Sequence, residues 1–304
     1  MKTVNFILGI AFVLGLCQTS AGQGVSENSK EVIKDRFAYS CGVLAGANFK
    51  DIGLSENLIA LDQIWNGIEG FMTERSKVTE MTAQKIANAK TIELQGTSDK
   101  SKLSKESLSD FYYNYGIVIG ANWKTFKVDF KTIVKDDFNK GLLAAVSNRA
   151  LLTAEAAQKE VSLKFKAIKQ MEANDQQAIN QAFLKKNQTK PNIITLESGI
   201  QYEVLKEGSG KQVSDNPTES ITVHYHGTLT NGNVFDSSVE SAKPITFKLT
   251  GVIKGWQEII PLMEEGEKIR AYIPPYLGYG NQKRGNIPPN SILIFEIELI
   301  KVGQ

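Results

Sequence analysis

Twelve residues of this chain recur 74 positions further on. Tyr39-Ser40-Cys41-Gly42-Val43-Leu44-Ala45-Gly46-Ala47-Asn48-Phe49-Lys50 aligns with Tyr113-Asn114-Tyr115-Gly116-Ile117-Val118-Ile119-Gly120-Ala121-Asn122-Trp123-Lys124. The register persists at Gly67 against Gly141 and at Thr79 against Thr153. Two copies of one helical unit account for such a period. Each copy reads as a first helix carrying glycines four apart (Gly42 and Gly46; Gly116 and Gly120), a loop, and a second helix. Glycines at that spacing share one helix face and admit another backbone at close range, which offsets their poor helix propensity. Such a face needs a partner: the other copy in the same chain, or the same copy in a second chain. The surrounding Tyr, Asn and Lys residues point to a soluble contact rather than a membrane one.

The second helices run through Leu58-Ile59-Leu61-Ile64-Trp65-Ile68 and through Ile133-Val134-Phe138-Leu142-Leu143-Val146, both with helical periodicity. Ser55, Glu56 and Asn57 supply turn-and-cap chemistry at the first of them. A polar, breaker-rich linker, residues 95–102, separates the copies. From Thr153 to Lys186 there is neither Pro nor Gly, and Val161, Phe165, Ile168, Ala178, Ile179 and Phe183 form only a thin apolar stripe. A helix so long with so narrow a stripe cannot be the core of its own globule. It reads as a connecting helix that ends near Pro191, because the residue before a proline is pushed out of the helical region.

The 304-residue length suits about two domains, and a composition 41% hydrophobic permits real cores. A formal charge of +2 without a long basic block argues against nucleic acid as a partner. Lys2, the apolar run from Phe6 to Cys17 and the small residues Thr19-Ser20-Ala21 read as an export signal over residues 1–21. The mature chain is then exported, to the periplasm or the outer membrane. A lipid anchor at Cys17 is disfavoured by the bulky Leu16 before it. Cleavage after Ala21 leaves Cys41 alone, a buried small hydrophobe with no disulfide partner in the chain.

From Ile194 onward the pattern changes to short strands: Ile200 to Leu205, Ile221 to His226 followed by the Asn231-Gly232 turn, Ile245 to Leu249, Lys268 to Ile273 and Ser291 to Ile300. With a short helix near Gly255 to Met263 they make about five antiparallel strands. The expected fold class is α+β, a C-terminal antiparallel sheet with a short helix, preceded by an all-helical region and the long connecting helix. The expected divisions are 30–152 for the duplicated helical region, 153–190 for the connecting helix and 192–304 for the sheet domain.

No nucleophile elbow, phosphate loop or His-Glu-x-x-His stretch occurs. His224 and His226, two apart in a strand, share one face without a third well-spaced ligand, so neither a metal nor another cofactor is expected. They read as a solvent-facing pair, with Val223 and Tyr225 turned inward.

Six motifs, in this order and at these intervals, resemble the FK506-binding-protein (FKBP) type of peptidyl-prolyl cis/trans isomerase over roughly residues 194–302. They are Val223-His224-Tyr225-His226-Gly227, Val234-Phe235-Asp236-Ser237-Ser238, Val252-Ile253-Lys254-Gly255-Trp256, Ile273-Pro274-Pro275, Leu277-Gly278-Tyr279-Gly280 and Ile287-Pro288-Pro289-Asn290. The resemblance implies a proline pocket of Tyr225, Phe235, Asp236, Val252, Ile253, Trp256, Tyr279, Ile287 and Phe295. Trp256 would be its floor, the Ile253 N–H and the Tyr279 hydroxyl would hold substrate carbonyls, and Asp236 would stand at the polar rim. Ser241 and Ile245 stand where well-known members carry arginine and phenylalanine, Thr250 to Val252 is a shortened stretch, and Lys283 and Arg284 replace a usual histidine region. The N-terminal half resembles the helical dimerisation region of the macrophage infectivity potentiator-like branch of exported isomerases. That resemblance implies a homodimer through the N-terminal helices, proline-containing exported polypeptides as partners, and binding of macrolide inhibitors.

The residues agree with that implication on physical grounds. Twisting a prolyl amide costs about 18–20 kcal/mol because the twisted form loses resonance. No proton need move, so the missing acid, base and nucleophile fit an apolar cavity that favours the twisted amide. The competing reading is a non-catalytic folding chaperone or surface interaction protein, in which the pocket only binds.

Overall fold

The computed structural model describes residues 32–214 and 219–303, so the expected signal segment and Cys17 lie outside the described residues. The helical half contains α1 (Arg36–Asp51), α2 (Leu61–Met72), α3 (Glu80–Gly96), α4 (Ser109–Thr125), α5 (Lys135–Val146) and α6 (Ala154–Asn187). Each copy therefore holds three helices where the sequence suggests two. The third helix of the first copy, α3, matches residues 154–170 of α6 at the same 74-residue offset. Both are started by the paired threonines: Thr79 Oγ1 accepts from the Thr82 N–H and Thr153 Oγ1 from the Ala156 N–H. Ser55, Glu56 and Asn57 cap no long helix. They open a short 3-10 turn at Glu56–Leu58, and α2 begins only at Leu61.

Helix α3 hides from sequence periodicity because its buried face is small (Ala83, Ala87, Thr91 and Leu94), while Met81 and Ile92 are exposed at 70% and 69%. The glycine faces are covered by the other copy of the same chain. A Cβ on Gly42 would collide with the Phe138 carbonyl and one on Gly46 with the Leu142 carbonyl, both on α5. One on Gly116 would meet the Ile64 carbonyl of α2, and Gly67 and Gly141 face the Tyr113 and Tyr39 carbonyls in return. So α1 packs on α5 and α2 on α4. Of the two partners the spacing leaves open, this structure contains the intrachain one. Phe37, Phe49, Trp65, Phe111, Trp123 and Phe138 fill the core between the pairs, and Cys41 is buried as a free thiol whose ionisation is pushed up by that burial.

Packing changes within α6, not at its ends. Ala157, Val161 and Phe165 belong to the helical core, and Phe165 stacks on Phe126 with ring centroids 4.0 Å apart. The compact units divide between Gln170 and Met171. The last turns of α6 belong to the second unit. There Asn180 Nδ2 donates to the Asn290 carbonyl (2.8 Å), Asn187 Nδ2 donates to Gln201 Oε1 (3.0 Å), and Gln201 Nε2 donates to the Leu184 carbonyl (2.9 Å). All three side chains are buried, so each bond satisfies a polar group that water cannot reach.

The second unit is a wholly antiparallel sheet of seven strands where five are expected. They are β1 (Ile194–Thr195), β2 (Gln201–Lys206), β3 (Ser220–Leu229), β4 (Val234–Ser237), β5 (Ile245–Lys248), β6 (Lys268–Ile273) and β7 (Leu293–Val302). Their order is β1-β2-β6-β7-β3-β4, with β5 also on β3. The additional strands, β1 and β4, are two and four residues long, too short for alternation to register. Helix α7 (Lys254–Ile259) lies between β5 and β6 in sequence and shares a core with Ile221, Val223, Ile269, Ala271, Ile297 and Leu299 from one sheet face. The opposite face carries ion pairs, Arg270 with Glu203 and Glu296 and Lys268 with Glu296, worth little individually at their exposure.

The three asparagine and glutamine bonds predict that the sheet unit needs the end of α6. A fragment of residues 171–304 should be more stable than one of 192–304 by about 3 kcal/mol, at about 1 kcal/mol per bond lost. Urea unfolding of the two fragments measures the difference, and equal midpoints would contradict it.

Candidate active site

Five aromatic rings converge beside the first turn of α7. Trp256 and Phe295, each 4% exposed, are the deepest. The Trp256 ring meets Phe295 at 5.1 Å and 74°, Tyr225 at 5.3 Å and 81°, and Phe247 at 5.4 Å and 46° between centroids and planes. Phe235 adds an edge contact to Phe295 at 5.4 Å and 89°. Edge-to-face pairs of this kind add about 0.5–1.5 kcal/mol beyond their buried area. They also fix each ring's orientation, which matters more for a binding surface.

Register brings these rings together. Gly227 on β3 lies opposite Asp236 on β4 and Phe295 on β7. A Cβ there would come within 2.7 Å of the Phe235 ring and 3.1 Å of the Phe295 ring, so the missing side chain makes room for the aromatic pair. Trp256 is placed by the start of α7, where its N–H donates to the Ile253 carbonyl at 3.0 Å. Its indole Nε1 is buried without a hydrogen-bond partner among the described residues, so packing alone holds that ring.

Of the nine residues singled out from the sequence, Trp256, Ile287 and Phe295 are buried in one cluster, and Tyr225, Phe235, Val252 and Ile253 are half-buried against it. Asp236 is exposed, and Tyr279 is 36% exposed in the turn before β7. Burial thus grades from floor to rim. The Ile253 N–H has no acceptor among the described residues, although its carbonyl accepts from both Trp256 and Gln257. Ile287 is anchored by mutual backbone hydrogen bonds with Arg284, at 2.8 and 3.1 Å, so the Asn281 to Asn286 loop sets its position.

Asp236 has a definite partner: the Tyr225 hydroxyl donates to its Oδ2 at 2.6 Å. Burial first, then the donation to Asp236 and its charge, push the ionisation of Tyr225 above the ordinary tyrosine range, and the nearby Tyr279 adds to the effect. The histidines are not a solvent-facing pair. Both are half-buried, with Nδ1 of His224 at 3.0 Å from Ser238 Oγ and Nδ1 of His226 at 3.0 Å from Ser237 Oγ. Ser238 Oγ also accepts from the Tyr225 N–H at 2.8 Å, so the two serines clamp β4 to β3 and fix the strand that carries Phe235 and Asp236. Sequence reasoning quoted these serines without giving them a role, and it missed Phe247. Phe247 could have been found, since it lies two residues beyond Ile245 on the same face of β5.

The chain matches the FKBP-type peptidyl-prolyl cis-trans isomerase domain over residues 211–300, and the domain amino terminal to that isomerase over residues 108–204. It is 36% identical over 229 residues to the outer membrane protein MIP of Legionella longbeachae, covering 72% of this chain and 93% of that one. The chain belongs to the FKBP-type peptidyl-prolyl isomerases. A probable FKBP-type isomerase, FkpA of Neisseria meningitidis serogroup B, is similar at 36% identity over 202 residues, 63% of this chain and 73% of that one. The crystal structure of FkpA from Escherichia coli is similar in fold, with a TM-score of 0.51 at 26% identity over 68% of this chain and 99% of that one. The activity of this FKBP-type enzyme is cis/trans isomerisation of prolyl peptide bonds.

In this FKBP-type isomerase the Tyr225 phenol has its folded ionisation value above the unfolded one. Its contribution to stability is therefore complete below about pH 10 and is lost only as pH rises through the raised value. Tyr225→Phe should leave the tyrosine step near pH ~10 unchanged in spectrophotometric titration. A step smaller by one tyrosine would place Tyr225 among ordinary phenols.

Proposed function

We propose that the enzyme takes the proline ring of an extended polypeptide onto Trp256, between walls formed by Tyr225, Phe235, Val252, Ile253, Ile287 and Phe295. The observation that carries this reading is the graded aromatic cluster, buried at Trp256 and Phe295 and open at Asp236 and Tyr279. The unpaired Ile253 N–H and the Tyr279 hydroxyl stand ready for the substrate's carbonyls. Asp236 acts through Tyr225, holding that ring's hydroxyl end in place. The apolar floor removes water from the ring while the two donors engage carbonyls on either side, so the twisted amide is held better than either planar form. About 1.4 kcal/mol of such preference is a tenfold gain in rate.

The clients we infer are proline-containing polypeptides outside the cytoplasm, at the periplasm or outer membrane. The leader-like pattern of residues 1–21 supports that location, and so does the name of the Legionella relative, an outer membrane protein. Macrolide inhibitors belong to the same proposal, since they would compete for the Trp256 floor. A second reading, client holding by the helical half, draws on the exposed Met81, Ile92 and Leu163.

Three variants test the site. Tyr279→Phe keeps the ring and removes the hydroxyl, and should lower kcat/KM for a short Xaa-Pro peptide about tenfold. Trp256→Leu and Asp236→Leu should also impair turnover, the first by reshaping the floor and the second by freeing Tyr225. Suppression of aggregation of a large unfolded client should change less in all three. Full prolyl turnover in every variant with native circular dichroism would rule out the pocket assignment.

A further inference from the structure

We propose that the duplicated helical region is a dimer-like pair closed within one chain, so that the protein is a monomer carrying a single isomerase unit. The pairing is self-complementary under exchange of the copies. Adding 74 to Gly42 and subtracting it from Phe138 turns the first glycine contact into Gly116 on Ile64, and that contact is present. The same operation turns Gly46 on Leu142 into Gly120 on Ile68, and Gly67 on Tyr113 into Gly141 on Tyr39.

The loops obey the same exchange. Lys124 Nζ donates to Glu74 Oε1 at 2.7 Å, and the equivalent Lys50 Nζ donates to Asn148 Oδ1 at 2.5 Å. Glu74 and Asn148 share the same left-handed backbone, φ 58° at each. Reciprocal contacts of this kind are the mark of a two-fold interface, in which i touches j and j touches i. Here the two halves are the two copies.

Closure within the chain follows from what the pairing leaves over. The four glycines of α1 and α4 and their counterparts in α2 and α5 are all covered by backbone of the other copy. Among the described residues, none of these six glycines is left open to a second chain. The linker between copies is built for this short connection: Leu108 is fully buried, Leu103 packs on the helical core, and the Lys100 side chain lies beside Gly53 with its Nζ donating to the Thr97 carbonyl at 2.8 Å.

The copies have also diverged as two linked copies can and two identical chains cannot. Buried Asp137 accepts from the Lys34 and Asp35 N–H groups at 2.9 and 2.7 Å, and Asp35 accepts from the Val134 N–H at 3.2 Å. At the related junction the corresponding residues are Gln63 and Ser109. The third helices differ in the same sense. Helix α3 stops at Gly96, whereas its counterpart passes residue 170 and continues to Asn187. One copy thus bears the isomerase and the other ends without it. The match to the family's amino-terminal domain, residues 108–204, covers the second copy and leaves out the first.

The test uses the full mature chain. Sedimentation equilibrium should give the monomer mass across the accessible concentration range, with a thermal midpoint independent of concentration. A dimer mass would overturn the proposal. Isotopically light and heavy chains, unfolded and refolded together, are then treated with a carbodiimide. This reagent joins Lys124 to Glu74 and Lys135 to Asp62, pairs 2.7 and 3.1 Å apart that each link one copy to the other. Every linked peptide pair should be wholly light or wholly heavy. Pairing between chains would make roughly half of them mixed, and mixed pairs would overturn the closed arrangement.

Discussion

Close approach of one helix backbone to another, at positions where only hydrogen occupies the Cβ site, is the constraint on which the helical half depends. At Gly42, Gly67, Gly116 and Gly141 the facing atom is a main-chain carbonyl oxygen rather than a side chain. A carbonyl cannot rotate aside as a side chain can, so each position admits one residue type. Glycines are costly in isolated helices. The cost is offset here because contact at this range lets the bulky residues on either side, among them Phe49, Trp123 and Phe138, fill the space between the pairs at interior density.

The sheet half obeys the same rule with different atoms. Gly227 yields its Cβ volume to two phenylalanine rings rather than to a carbonyl, and the result is an oriented aromatic surface rather than a helix contact. Around it the polar bonds are short-range devices that hold strands in register. Ser237 and Ser238 tie β4 to β3 through the two histidines and the Tyr225 N–H. Residues that would suggest chemistry in another setting therefore act as fasteners. This agrees with a reaction that breaks no bond and needs instead a surface of fixed shape.

The candidate site was more legible in the sequence than the helical fold was. Its residues sit in compact motifs, each within a strand, a turn or the start of α7, so local order carried the information, and Trp256, Phe295, Tyr225 and Phe235 do share a cluster. What escaped was long-range or small. The bond from Tyr225 to Asp236 joins two strands, β4 is only four residues long, and α3 shows Met81 and Ile92 to solvent while burying Ala83 and Ala87. The glycine spacing announced a close contact without naming its partner, because copy-to-copy packing within a chain and between chains asks the same of the sequence. The extent of α6 was legible. The point along it where packing passes from one core to the other was not, since Phe165 and Asn180 are buried for different reasons, apolar contact in one case and a hydrogen bond to the Asn290 carbonyl in the other.

Asp236 shows why a carboxylate beside an aromatic cluster need not be a base. Its Oδ2 is engaged by the Tyr225 hydroxyl, and burial together with that bond holds the phenol neutral beyond the ordinary tyrosine range. A proton shuttle needs a donor and acceptor whose affinities lie close enough for transfer near working pH, and the raised Tyr225 moves away from that range instead. Prolyl rotation moves no proton, so a pair unable to exchange one loses nothing. What it supplies is orientation: the ring of Tyr225, edge-on to Trp256 at 81°, is fixed at its far end by the carboxylate and at its backbone by Ser238. In the proposed site Asp236 is a positioning residue, and the surface it helps to hold is the wall against which a proline ring would seat.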